Sequence, residues 1–82
     1  MLNRTKRNVM SCLPLDQRQT HIQVLFDLVS TQMNDLGIIL KVEDFNSALN
    51  SLSEEQALVI FDRQEGQIVI PTQYGFTVYG TD

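Results

Sequence analysis

Few residues of this chain have a type and spacing that could catalyse a reaction. It contains one cysteine, Cys12, and one histidine, His21. A nucleophile needs a base beside it, and His21 is expected in the first turns of a long helix as a solvated or half-buried residue. The carboxylate pairs at 43–44 and 54–55 are adjacent in sequence, so their side chains diverge on a helix and do not form an acid–base couple. We therefore expect no catalytic residue and no enzymatic activity.

The same residue types do not indicate a cofactor or a metal ion. A lone cysteine and a lone histidine cannot supply the four ligands of a structural zinc site. Cys12 is expected instead as a small, partly buried apolar residue. The four glycines are isolated from one another, whereas phosphate-binding loops cluster them. The calcium-loop pattern of EF-hands is absent as well. We expect neither a cofactor nor a bound metal.

Length, composition and charge narrow the remaining classes of protein. A chain of 82 residues, 43% of them hydrophobic, makes one globular domain with a modest core. No apolar run approaches the roughly 20 residues that cross a bilayer. Arg4, Lys6 and Arg7 are not followed by the apolar segment of a signal peptide, so we expect a cytoplasmic protein without membrane attachment. The net charge of −4 opposes attraction to nucleic-acid phosphates.

Helices are expected in the first half of the chain. Residues 1–13 are interpreted as a basic N-terminal arm or a short helix. A long helix is predicted over 16–36, with Asp16 as its N-cap, helical residues from Gln17 and Gly37 as the left-handed residue after its end. Its apolar residues recur at helical spacing and are predicted to form a buried stripe. They are Ile22, Phe26, Val29, Met33 and Leu36.

The second half predicts one more helix and a small sheet. The helix is assigned to the segment 42–55, and its last helical turn is expected to end near Ser53. Apolar segments that form the hairpin or sheet follow over 57–79. Two strands, Ala57–Asp62 and Gln67–Pro71, are joined by a four-residue loop in which Gly66 can take a positive φ. A third strand is expected at 74–79, and 38–40 is a further extended segment that could pair with the hairpin. The predicted class is therefore α+β, with two to three helices and a C-terminal β-hairpin or small antiparallel sheet.

The order helix, helix, hairpin, with a short extended segment between the helices, resembles the winged-helix variety of helix-turn-helix proteins. The resemblance covers roughly residues 17–75. It implies a DNA-binding regulator with the helix at 42–53 in the major groove. The chain departs from the pattern in two respects: only one of the usual two short helices before the wing is recognised, and the recognition helix is not basic. The resemblance rests on Phe45, Leu49 and Leu52 in the helix, Ala57–Pro71 as the wing, and Thr72, Tyr74 and Gly75 after it.

Two alternative binding surfaces follow. An apolar outer side of the hairpin, with an open sheet edge, would bind a second protein chain or another copy of this one as a homodimer, or would complete the core under the N-terminal segment. This surface comprises Val59, Phe61, Val69, Tyr74 and Tyr79. A nucleic-acid surface would comprise Arg4, Lys6, Arg7, Lys41, Asn46, Asn50 and Arg63.

The absence of Lys and Arg from 42–53 favours the protein-binding alternative. The leading interpretation is a small non-enzymatic protein-interaction or regulatory module. The alternative is a winged-helix DNA-binding transcriptional regulator.

Overall fold

A computed structural model describes residues 2–80 of the chain. Four helices and a three-stranded antiparallel sheet make up the described residues, which confirms the α+β class. The N-terminal helix that the sequence offered as one of two alternatives is present. In chain order the elements are α1 (Leu2–Cys12), β1 (Thr20–His21), α2 (Ile22–Asp35), α3 (Val42–Glu54), β2 (Leu58–Arg63), β3 (Gly66–Pro71) and α4 (Gln73–Val78).

The core lies between the first three helices and one side of the sheet. Helix α1 packs against both α2 and α3, and α3 continues the layer onto β2. Each helix contributes its apolar stripe, which is how an amphipathic helix of a small domain gains most of its stability. The buried cluster consists of Val9, Met10, Leu13, Leu25, Val29, Met33, Leu40, Phe45, Ala48, Leu49, Leu52, Ala57, Leu58 and Val69.

The long helix begins at Ile22, so the prediction that it starts at Gln17 is wrong. The Asp16 carboxylate accepts a hydrogen bond from the Arg18 backbone N–H and pairs with the Arg18 side chain, which closes a local turn in place of a helix cap. Gln17 has a φ of +63°, which a helix cannot contain. Residues 20–21, which were predicted to be helical, pair with β3 and form strand β1.

The apolar stripe of α2 is buried over only part of its predicted length. Val29 and Met33 are fully buried, and Leu25 joins them. Ile22 and Phe26 are only partly buried, while Leu36 lies beyond the helix and is exposed. The stripe therefore enters the core in its second half, because the first turn of α2 faces an open groove against α3.

Helix α2 ends as the sequence predicts. Gly37 has a φ of +80°, and its N–H bonds the Asn34 carbonyl at 2.9 Å, while the Ile38 N–H bonds the Met33 carbonyl at 2.9 Å. These two bonds form a Schellman motif, in which a left-handed residue satisfies the last carbonyls of a helix. Helix α3 ends in the same way one residue beyond the expected Ser53, with Gln56 in the left-handed position at φ +64°.

The sheet differs from the prediction in two elements. Strands β2 and β3 form the expected hairpin, but its loop is the two-residue turn 64–65, with Gly66 already in β3 at φ +119°. The third strand is β1 at 20–21, which pairs with β3 on the side away from β2. The prediction of a strand at 74–79 is wrong, and 38–40 is not a strand either.

Residues 73–78 form helix α4 for a local reason. The Thr72 side chain accepts a hydrogen bond from the Gly75 N–H at 3.0 Å and so caps the first turn. The Thr72 hydroxyl also donates to the Gln56 carbonyl at 2.7 Å, which ties the cap to the end of α3. These bonds outweigh the weak strand pattern of the segment.

Candidate functional site

The hairpin has one side in the core and one side outside it. In an antiparallel pair, residues directly opposite each other share a face of the sheet. Ile60 pairs with Val69, and both pack in the core, whereas Val59 pairs with Ile70 outside it. Val69 is fully buried, so the prediction that it belongs to the outer side is wrong. Its register with Ile60 places it on the inner face.

The outer side carries an apolar surface that the described residues cover only in part. Val59 and Phe61 are 41% and 40% exposed, and their cross-strand partners on this side are Ile70 and Ile68. Ile68 is buried but does not belong to the main core cluster. We call the surface formed by Val59, Phe61, Arg63, Ile68, Ile70 and His21 the outer hairpin face.

Two polar side chains frame this face. The Arg63 guanidinium lies 5.6 Å from the centre of the Phe61 ring, within range of a cation–π interaction. His21 lies opposite Ile68, and its Nε2 atom is 2.8 Å from the Glu65 carbonyl oxygen of the turn. His21 is thus a strand residue that joins β1 to the hairpin turn and does not lie in the first turns of α2 as expected.

The remaining two residues of the predicted protein-binding set lie elsewhere. Tyr74 is 59% exposed on α4. Tyr79 packs against the core cluster, and its hydroxyl donates a hydrogen bond to the Glu55 carboxylate. Of the five predicted residues, the structure therefore brings Val59 and Phe61 together on one exposed face.

Lys6 does not belong to a free basic arm, because it is 6% exposed. Its ammonium forms an ion pair and hydrogen bond with Glu55, and it lies 5.4 Å from the centre of the Tyr79 ring. The hydrogen bond to Glu55 raises the pKa of Lys6, and the hydrogen bond from Lys6 lowers the pKa of Glu55. This cluster joins α1 to the end of α3 and to the chain after α4.

The other predicted nucleic-acid residues are exposed but dispersed over the elements. Arg4 and Arg7 lie on α1, Lys41 precedes α3, and Arg63 ends β2. Asn46 and Asn50 are exposed on α3, as expected, and α3 has no basic residue. Helices α2 and α3 together carry five exposed carboxylates and no Lys or Arg: Asp27, Asp35, Glu43, Asp44 and Glu54.

A groove that the sequence analysis missed lies between the first turns of α2 and α3. Its base is the Phe26–Phe45 pair, packed edge to face with ring centres 5.0 Å apart. The apolar residues at 22 and 26 and at 42 and 45 have the helical spacing that could have indicated it, but the prediction placed 22 and 26 inside a longer buried stripe of α2. The groove is lined by Ile22, Gln23, Phe26, Val42, Phe45 and Asn46.

Within residues 2–80, no helix is both long and apolar enough to cross a membrane. The same residues contain no group of three or more His, Cys, Asp and Glu side chains placed to hold a metal ion. Comparison of the chain with protein-family models, with curated proteins and with solved structures finds no match.

Proposed function

We propose that the protein is a small non-enzymatic interaction module that binds another protein chain through the outer hairpin face. The observation that supports this is the exposure of Val59 and Phe61 on the side of the hairpin that faces away from the core cluster, next to the half-buried Ile70. Contiguous apolar surface on a small domain is typical of binding sites. An aromatic ring beside an arginine is also the composition that protein interfaces favour.

A second copy of the chain is the simplest partner. Strand β2 is at the edge of the sheet. Among the described residues no strand pairs with its outer side, so the backbone groups there can pair with a strand of another chain. A two-fold axis perpendicular to the sheet would make two β2 strands antiparallel and keep both outer faces on one side. An axis at Ile60 places Val59 opposite Phe61 of the partner subunit, so the central pairs are apolar, and sets Leu58 opposite the partner's Asp62. An axis at Phe61 would set Asp62 opposite the partner's Ile60.

Charge substitutions on the outer hairpin face test this proposal. Val59→Glu and Phe61→Glu should each convert a dimer into a monomer in light scattering while leaving the helical circular dichroism unchanged, because both side chains are exposed. Val24→Glu, at a residue that is 51% exposed on α2, is the matched control and should stay dimeric. A wild-type chain that is monomeric up to millimolar concentration would contradict self-association, and unfolding of Phe61→Glu would assign that ring to the core.

A disulfide experiment tests the strand pairing itself. With Cys12→Ser as background, Ile60→Cys should form a covalent dimer under mild oxidation, since paired strands place these Cα atoms about 5 Å apart. Asp62→Cys is the control, because the same register separates its two copies by about 14 Å. A dimer in which Ile60→Cys does not cross-link would indicate that the faces pack together and the edges do not pair.

DNA binding is the second candidate, supported by the element order. Helices α2 and α3 precede the hairpin in the order on which the winged-helix resemblance rests, and five cations outside these two helices are exposed. The five carboxylates of α2 and α3 oppose it. A gel-shift titration against duplex DNA decides: binding that weakens steeply with salt, and weakens further in Arg63→Gln, would support this function.

A further inference from the structure

We propose that the groove between α2 and α3 is a second binding site, which takes a large apolar side chain carried on a basic segment of a partner protein. The groove lies on the helices and shares no lining residue with the outer hairpin face. The inference therefore does not depend on the function proposed for the hairpin.

The lining fits an apolar anchor. Phe45 is 2% exposed and forms the floor, Phe26 stands against it edge to face, and Val42 is 55% exposed at the rim. Phe26 also packs against the core cluster but is only partly buried, so part of its ring remains open to the groove. The amides of Gln23 and Asn46 line the remaining wall and can bond the backbone of an inserted segment.

The size of the groove favours a side chain over a cofactor. Its volume is about 290 Å³, at the low end of sites that hold a small molecule, and it is open to solvent. Apolar anchors inserted into such clefts are the usual centre of helix-in-groove recognition.

The charge around the groove identifies a basic partner. The two helices that form it carry only carboxylates as charged side chains, all of them exposed. Asp27 accepts a hydrogen bond from the lining residue Gln23 at 3.2 Å, and Glu43 follows the lining residue Val42 in the first turn of α3. Lys41 directly precedes the lining residue Val42, but the two helices carry five carboxylates against this one cation. The field of this surface attracts cations and repels phosphates, so the segment should carry Lys or Arg beside its anchor.

The test uses a synthetic amphipathic peptide of about 15 residues, with lysines on its polar face and leucines at helical spacing on the other. Titration into the isotope-labelled protein should shift the side-chain amide signals of Gln23 and Asn46. Val42→Ser, which removes the exposed wall, should weaken binding at least tenfold. Glu43→Lys should do the same, whereas Glu54→Lys, the same charge change at the far end of α3, should weaken it less than threefold.

Two control peptides and one further variant complete the experiment. Replacement of the leucines by alanine, or of the lysines by glutamate, should abolish the shifts. If the alanine peptide binds as tightly as the parent, or if Glu43→Lys and Glu54→Lys weaken binding equally, the attraction is general charge and the groove is not a site. Phe61→Glu should leave binding unchanged; loss of binding there would place the peptide on the outer hairpin face and overturn the groove assignment. Absence of any shift at Gln23 and Asn46 would also overturn it.

Discussion

Replacement of Gly75 by alanine is expected to destabilise the domain more than the same replacement at any other described glycine. A Cβ atom at this position would lie 2.1 Å from the Ala57 carbonyl oxygen and 2.8 Å from the Met10 Cε atom. The methionine end can move, but the carbonyl cannot, because it accepts the Thr72 N–H at 3.0 Å. Thr72 in turn caps α4 and bonds the Gln56 carbonyl, so a shift of α4 away from Ala57 would strain these bonds. We expect a loss of about 3 kcal/mol in the free energy of unfolding, the upper end of the usual range for overpacking.

Urea denaturation measures this loss, and Gly80→Ala is the matched control. The nearest atom to a Cβ at Gly80 would be the Phe76 carbonyl oxygen at 3.4 Å, an ordinary contact. That variant should stay within about 0.5 kcal/mol of wild type. A Gly75→Ala protein that unfolds at the wild-type urea midpoint would mean that α4 does not dock against Ala57 as described.

The elements that the sequence predicted well are those whose signals are local. Gly37 and Gly66 mark positions of positive φ, and both have it. Helix α3 and the hairpin each carry a complete apolar pattern between polar boundaries. Strand β1 has only two residues, Thr20 and His21, and exists because β3 is beside it. No local pattern specifies a strand this short, so its residues were assigned to the helix that follows.

The candidate site was predictable only in part for a related reason. Both strands of the hairpin are apolar on both sides, so alternation does not indicate which side is buried. The cross-strand register decides it, and the register places Val69 inside and Val59 outside. Lys6 was assigned to a basic N-terminal arm or short helix, and no local pattern indicates that its side chain is buried. Its partner, Glu55, is 49 residues away, and only the packing of α1 against α3 brings them together.

The Lys6–Glu55 pair should respond unequally to removal of its two members. Glu55→Ala leaves a buried ammonium without its anion, and we expect a loss of about 1–3 kcal/mol in the free energy of unfolding. The Glu55 side chain is 38% exposed, and water screens the pair, so the loss should fall short of that for a fully buried pair. Lys6→Met keeps an apolar chain of similar length and leaves Glu55 its contact with water and with Tyr79. This change should cost less than about 1 kcal/mol.

The pH dependence gives an independent measurement of the same pair. The pKa of Glu55 is lowered in the folded state, chiefly by the Lys6 hydrogen bond and then by that of Tyr79. A lowered carboxyl pKa adds stability that is present above the unfolded value of about 4.3 and is lost as pH falls through the folded value. The pKa of Lys6 is raised in the folded state. Its contribution to stability is therefore present below the unfolded pKa of about 10.4 and is lost as pH rises through the folded pKa. The difference in unfolding free energy between wild type and Glu55→Ala should therefore be constant between about pH 5 and pH 9 and shrink below about pH 4. A difference that is the same at pH 3 and pH 7 would show that Glu55 acts through packing and not through its charge.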